Sequence, residues 1–268
     1  MSGMSHAAIV VSLHGRCGKT LLARTIVDYF LLSGGRPYVF DTDSVEWKLH
    51  DLFPSEARVV DLAIARDQMV LFDTLAETSP EMRVVDLSHR SLTKFFALMR
   101  DTDFICETKP HDIEPMIYYI PDRKLDSFEA GVVLRDNFPD CGFVVVENGF
   151  FEPPKRNIQQ SSAYSALRSH TSRFIMPKLA DEAIEMLEDQ HLSISHFMRQ
   201  PISSTGETLA DDGLSPSVRI ELRRWVVRMF RQIHRVTAGL AMTDEPLNNF
   251  EPASPMAGSE DWGRIGSG

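Results

Sequence analysis

The stretch Ala7-Ala8-Ile9-Val10-Val11-Ser12-Leu13-His14-Gly15-Arg16-Cys17-Gly18-Lys19-Thr20 decides how the rest of this 268-residue chain reads. Ala7 to Leu13 is a continuous apolar run and predicts a buried strand. From Thr20 to Leu32, the residues Leu21, Leu22, Ile26, Val27, Phe30 and Leu31 recur at helical spacing, and Gly34-Gly35 ends that helix. Between the two lies a glycine-containing loop that leaves a strand and opens a helix, the setting a phosphate loop requires. Gly18 lets the backbone turn tightly and approach an anion. The backbone N–H groups of Gly15, Arg16, Cys17, Gly18, Lys19, Thr20 and Leu21 lie at the helix N-terminus and supply partial positive charge. Lys19 is placed for the outer phosphates of a nucleotide, and the Thr20 hydroxyl for magnesium. Leu13 stands where the common phosphate-loop pattern has its first glycine.

Outward from this loop, short apolar runs alternate with helical patterns. Pro37–Phe40, Met82–Asp86, Phe104–Glu107, Cys141–Glu147 and Phe174–Pro177 read as further strands. Leu62–Leu75, Ser91–Arg100, Ile113–Ile120 and Ala180–Gln190 read as helices. Continuous apolar strands separated by helices predict an α/β fold: a doubly wound, mostly parallel sheet with helices on both faces. Ligands in such sheets bind beyond the carboxyl ends of the strands. Acids stand at those ends: Asp41 and Asp43 after one strand, Asp86 after another. An apolar strand that ends in Asp beside a phosphate loop suits a magnesium shell. His89 and Arg90 follow Asp86, and His89 reads as an ordinary loop histidine. The helix from Pro216 to Leu240 carries a C-terminal extension of the fold.

The chain is 43% hydrophobic with three scattered cysteines, so neither a disulfide framework nor a cysteine zinc site is expected. It has no apolar run of roughly 18 residues and no basic-then-apolar leader pattern. These features point to a reducing compartment and a cytoplasmic protein. The formal charge of -10 argues against coating of nucleic acid by the whole surface. Yet residues 216–236 hold six Arg and one Glu, a local +5. Val218, Leu222, Trp225, Met229, Ile233, Val236 and Leu240 form an apolar stripe there. Arg224, Arg228, Arg231 and Arg235 fall on another side. Three uses are open: a docked helix with solvated arginines, a contact for DNA phosphates, and an amphipathic helix lying on anionic membrane. Nucleoid or membrane association therefore stays open. The chain divides into a nucleotide-binding domain (1–195), a linker (196–215), the basic helix (216–242) and a tail expected to be disordered (243–268).

Gly15 to Thr20 resembles the deviant loop K-G-G-x-G-K-[ST] of the ParA/MinD-like ATPases. Gly15 matches the first loop glycine, Arg16 stands in place of the second, and His14 replaces the signature lysine. The resemblance continues in Asp41-Thr42-Asp43, in Asp86, in Asn148 after Val144–Glu147, and in Pro177 after Phe174–Met176, and covers residues 7–187. It implies ATP and magnesium as cofactors and an ATP-dependent homodimer. It assigns Asp41 and Asp86, with Thr20, to the magnesium shell and Asp43 to the attacking water. Asn148 and Pro177 would lie at adenine. In the family the lysine crosses to the partner's phosphates. Here Arg16 is favoured over His14 for phosphate contact, so Lys19, Arg16 and Asp43 carry any hydrolysis. The implied function is a weakly hydrolysing switch that positions or partitions a cargo such as a plasmid, a protein complex or a cell-pole component. The alternative is a hydrolysis-deficient scaffold acting by protein–protein contact.

Overall fold

The computed structural model of the chain describes residues 5–43, 45, 48–79, 81–111, 113–170, 172–189, 193–199 and 215–238. Of the stretch 196–215 read as linker, residues 200–214 lie outside the described residues, as do 239–268, which hold Leu240 and the tail, while 196–199 are helical. Seven strands run β1 (Ser5–Val11), β2 (Tyr38–Asp41), β3 (Ala57–Val59), β4 (Arg83–Asp86), β5 (Ile113–Tyr119), β6 (Gly142–Asn148) and β7 (Arg173–Met176). They form one sheet in the order β3-β2-β4-β1-β5-β6-β7, with every pairing parallel. The chain leaves the central β1 for one side of the sheet and returns to the other at β5. The crevice above the end of β1 is therefore the topological switch point.

Alternate strand residues enter two cores. Ala8, Val10, Val84, Tyr118, Val144 and Phe174 face one layer of helices. That layer holds α1 (Lys19–Leu32), α2 (Lys48–Leu52), α9 (Asp181–Asp189), α10 (Ile194–Arg199) and α11 (Pro216–Thr237). Ala7, Ile9, Val11, Val85, Ile117 and Val145 face the other. There lie α3 (Ala65–Ala76), α4 (Leu92–Asp101), α5 (Phe104–Thr108), α6 (Leu125–Asn137), α7 (Arg156–Gln159) and α8 (Ser162–Arg168). Burial on both faces is why these strands read as unbroken apolar runs.

Two expectations are corrected. Residues 104–107 are the helix α5, not a strand, and 113–120 hold the strand β5, not a helix. Met116-Ile117-Tyr118-Tyr119-Ile120 is apolar throughout, and such a run carries no period with which to tell a buried strand from a buried helix. Pro115 adds to the ambiguity, but β6 pairs with β5 only from Met116 onward, so a missing N–H is tolerated there.

Helix α11 is part of the core. Leu222, Trp225, Val226, Met229 and Ile233 are buried against the layer that contains α1. Each such side chain contributes about 1.5–3 kcal/mol of apolar burial. Tyr29 of α1 packs edge-on against Phe230 and shares a 2.8 Å hydrogen bond with His234 Nδ1. Ser215 caps the start of the helix by accepting the Val218 N–H, and Pro216 occupies its first turn. On the edge strand β7, the Ile175 N–H donates to Gln232 Oε1 at 2.9 Å, and Gln232 Nε2 donates back to the Ile175 carbonyl at 2.8 Å. A side-chain amide thus stands in for an eighth strand at that point. No described helix is long and apolar enough to cross a membrane.

Candidate functional site

A cavity of about 920 Å³ opens above the carboxyl ends of the central strands. Its floor is the loop Gly15–Thr20 with Leu21. Asp41, Asp43 and Asp86 line one side, and Asn148 and Pro177 line the other. All the residues singled out on the strand ends thus meet in one space, although they come from four strands.

The loop is shaped by two positive-φ residues, Arg16 at 59° and Gly18 at 90°. Only Gly18 needs its missing side chain on both counts. A Cβ there would lie 2.8 Å from Asn148 Nδ2 and 2.8 Å from Met176 Cε. Arg16 is exposed at the loop's crest. Cys17 is buried, its thiol donating to the Gly15 carbonyl at 3.4 Å, and burial pushes its pKa up. Lys19 is 8% exposed, and no hydrogen bond or ion pair among the described residues holds its ammonium.

Thr20 and Asp86 form the tightest contact of the site: the Thr20 hydroxyl donates to Asp86 Oδ2 at 2.6 Å. The other Asp86 oxygen, Oδ1, is buried without a hydrogen-bond partner among the described residues. Burial, with the nearby Asp41 charge, pushes the Asp86 carboxyl up to about 6, and the Thr20 bond opposes that rise. A buried acid with one bare oxygen beside a threonine hydroxyl is a hard-oxygen set that fits magnesium, which takes few protein ligands.

Asp41 is engaged differently. Its Oδ1 accepts the Asp43 N–H at 3.0 Å, and its Oδ2 accepts those of Leu49 at 3.0 Å and His50 at 3.4 Å. It therefore holds the first turn of α2 as well as facing the cavity. Asp43 accepts the Val45 N–H at 3.1 Å, and the Ser88 hydroxyl stands 3.5 Å from its Oδ2. Thr42, between the two acids, stitches β2 to β4: it donates to the Asp86 carbonyl at 3.1 Å and accepts the Ser88 N–H at 2.7 Å.

Asn148 reaches across to the loop. Its Nδ2 donates to the Cys17 carbonyl at 3.0 Å, and its Oδ1 accepts the Phe150 N–H at 2.9 Å. Pro177 follows β7, and its carbonyl accepts the Trp225 indole N–H at 2.7 Å. His14 turns away from the cavity. Its Nδ1 lies 2.7 Å from Asp122 Oδ2 and its Nε2 3.6 Å from Asp126 Oδ2.

Reading the sequence missed Asp122 and Ser88. Asp122 follows Ile120-Pro121 at a strand end, the same signal that marks Asp41 and Asp86, but 113–120 was expected to be a helix. The basic helix lies apart from the cavity. Arg224 and Arg228 are exposed, and Arg231 and Arg235 half-buried.

No family model matches this chain, and no curated protein does. Solved structures do resemble it in chain course. The MinC:MinD cell division protein complex of Aquifex aeolicus superposes with a TM-score of 0.45 and 11% identity, over 92% of this chain and 100% of that one. A McdA–ATP complex from Cyanothece gives 0.44 and 12%, over 91% and 100%. An ADP complex of a nucleotide-binding protein from Archaeoglobus fulgidus gives 0.44 and 14%, over 69% and 86%. None of these likenesses assigns a role to a residue of this chain.

Proposed function

We propose that this chain is an ATP-binding, ATP-hydrolysing switch of the ParA/MinD type, which pairs with a second copy around nucleotide and so controls contact with a surface or cargo. The observation that carries this reading is the Thr20–Asp86 pair with its bare, buried Asp86 Oδ1 in a cavity floored by a glycine loop. The loop amides and Lys19 hold the phosphates. Thr20 and Asp86 hold magnesium, with Asp41 positioned behind them, and the bound ion supplies neutralisation of the phosphate charge that develops on transfer. Asp43 orients the attacking water, and Arg16 adds charge from the crest of the loop. The base rests at the rim formed by Asn148 and Pro177. Placement and charge stabilisation carry any acceleration, since phosphoryl transfer asks little covalent chemistry of the protein.

The surface is reached through α11. Its apolar face is committed to the core, with Trp225 3% and Phe230 7% exposed. What the docked helix offers is charge, foremost Arg224 and Arg228, which suits nonspecific DNA phosphates better than insertion into lipid. Arg224→Glu with Arg228→Glu is expected to abolish DNA retention by the ATP-loaded protein. Binding to anionic vesicles and not to DNA would reverse this choice.

A second reading has its own support. His14 is held by Asp122 within the same chain, so the trans contact of the family's lysine has no counterpart in that geometry. A chain that binds ATP, pairs and does not hydrolyse it would act as a scaffold. Labelled-ATP binding, phosphate release and light-scattering mass, with wild type and Asp43→Ala, separate the two. Tight binding with no turnover, unchanged in Asp43→Ala, selects the scaffold. No binding at all removes both.

A further inference from the structure

His89, read from the sequence as a plain loop residue, occupies a definite place. It lies three residues beyond Asp86 and lines the same cavity as Lys19 and Asp43. Its ring sits on Gly15. A Cβ on that glycine would stand 3.3 Å from His89 Cε1 and 3.4 Å from Nδ1, tighter than ordinary side-chain packing. Gly15 therefore serves as the seat of this imidazole. Among the described residues no hydrogen bond or ion pair engages either ring nitrogen, and the side chain is half-buried.

The two ends of the loop face different neighbours. Gly18 abuts Asn148 and Met176, on the side of the proposed base rim, and Gly15 abuts His89. A nucleotide whose base lies at the Asn148 rim and whose inner phosphates lie on the α1 N-terminus sends its outermost phosphate toward Gly15. We propose that His89 contacts that terminal phosphate, donating a ring N–H to it, and thereby distinguishes a nucleoside triphosphate from a diphosphate. The proposal rests on the nucleotide reading above.

The electrostatics agree with this placement. Burial, then the positive charges of Lys19 and Arg90, hold the His89 pKa below its ordinary value; Asp43 opposes this and His14 adds to it. The unliganded ring is thus neutral near pH 7, with one N–H to donate. A terminal phosphate beside it raises the pKa again, so triphosphate binding takes up a proton. The sign follows: the histidine's contribution is largest at low pH and fades as pH rises through the pKa of the bound state.

The test uses the full chain with magnesium and fluorescently labelled ATP and ADP, in wild type, His89→Ala and His89→Gln. The loss of one hydrogen bond to a charged group lowers ATP affinity about ten-fold in His89→Ala. ADP affinity is expected to stay unchanged. Gln, which keeps a neutral donor, restores part of the loss. The advantage of wild type over His89→Gln for ATP widens as pH falls from about 8 to 6, a response that simple packing on Gly15 would not give. Equal losses on ATP and ADP, or none, overturn the proposal while the nucleotide reading stands. If wild type binds neither nucleotide, the nucleotide reading falls and takes this proposal with it. Should His89→Ala melt early without nucleotide, the Gln variant and its pH series decide.

Discussion

Asn148 is tied to Cys17, 131 residues away in the chain, by a 3.0 Å hydrogen bond from its side-chain amide to the loop carbonyl. Its amide oxygen is occupied as well, by the Phe150 N–H at 2.9 Å. The end of β6 and the glycine loop are therefore fastened through one side chain. The same side chain lies against Gly18, which leaves no room for a Cβ at that residue.

Asn148→Ala is expected to lower unfolding stability by about 1–2 kcal/mol, the net worth of two hydrogen bonds. Because the fastening acts on the loop proposed to hold phosphate, ATP and GTP affinity should fall together. Urea unfolding and competition binding with the two nucleotides check this. A loss confined to ATP would instead make the amide a reader of the base.

The Trp225–Pro177 bond and the Gln232–Ile175 pair join α11 to β7 and to the cavity rim. Trp225→Phe keeps most of the packing and loses the bond to Pro177, for an expected cost of about 1 kcal/mol. Trp225→Ala also empties a core site, for about 3–5 kcal/mol. Gln232→Ala bares the β7 edge beside Ile175, which is 53% exposed, and should raise the aggregation rate more than it lowers the melting point. Light scattering during mild heating separates these effects.

Where a strand ends at an acid or an Asn-Gly turn, as at Asp41, Asp86 and Asn148-Gly149, the strand was legible, and with it the place of the candidate site. Those residues sit where an apolar run must end for its chain to turn. That boundary does not suffice at β5, which Asp122 follows but whose apolar run has no period, and two further elements carry no signal of their own. The helix α6 buries Ser127 and Gly131 while leaving Val133 58% exposed, so it shows no apolar stripe. The strand β3 has only three residues, with Arg58 exposed in the middle. At the site, identity and spacing singled out Lys19, Thr20 and Asp86. They could not show that His14 bonds Asp122 or that His89 rests on Gly15, because both contacts depend on the path of loops between strands.

Asp28 offers a test by pH. It is fully buried on α1, where its two oxygens accept the N–H groups of Ile194 at 2.9 Å and Ser195 at 2.8 Å and so pin α10. Burial raises its pKa; the two backbone bonds and Arg24 work the other way without cancelling the rise. With the folded pKa above the unfolded one, its stabilising contribution is full below the unfolded value and is lost as pH rises through the folded one. Asp28→Asn removes this titration and one backbone bond. The stability advantage of wild type over Asp28→Asn is therefore expected to be larger at pH 4 than at pH 7. Denaturant midpoints across that range would show a constant or growing gap if the acid were not held up by burial.

Arg16 holds a φ of 59°, a left-handed conformation that costs a side-chain-bearing residue roughly 1–2 kcal/mol. Arg16→Gly relieves that strain, although glycine returns about 0.5–1 kcal/mol through the greater freedom of the unfolded chain. The stability of the nucleotide-free protein should then stay level or rise slightly. Arg16→Ala keeps the strain and should not rise. Both variants lose the guanidinium, so both should lose ATP affinity to a similar extent. The loss should shrink in high salt, because Arg16 is exposed and its field is screened over about 8–10 Å at ordinary ionic strength. Melting curves without nucleotide, set beside ATP affinities at low and high salt, resolve backbone from charge. If Arg16→Gly binds ATP as wild type does, the arginine occupies the glycine's place without doing phosphate work, and Lys19 with the loop amides holds the anion unaided.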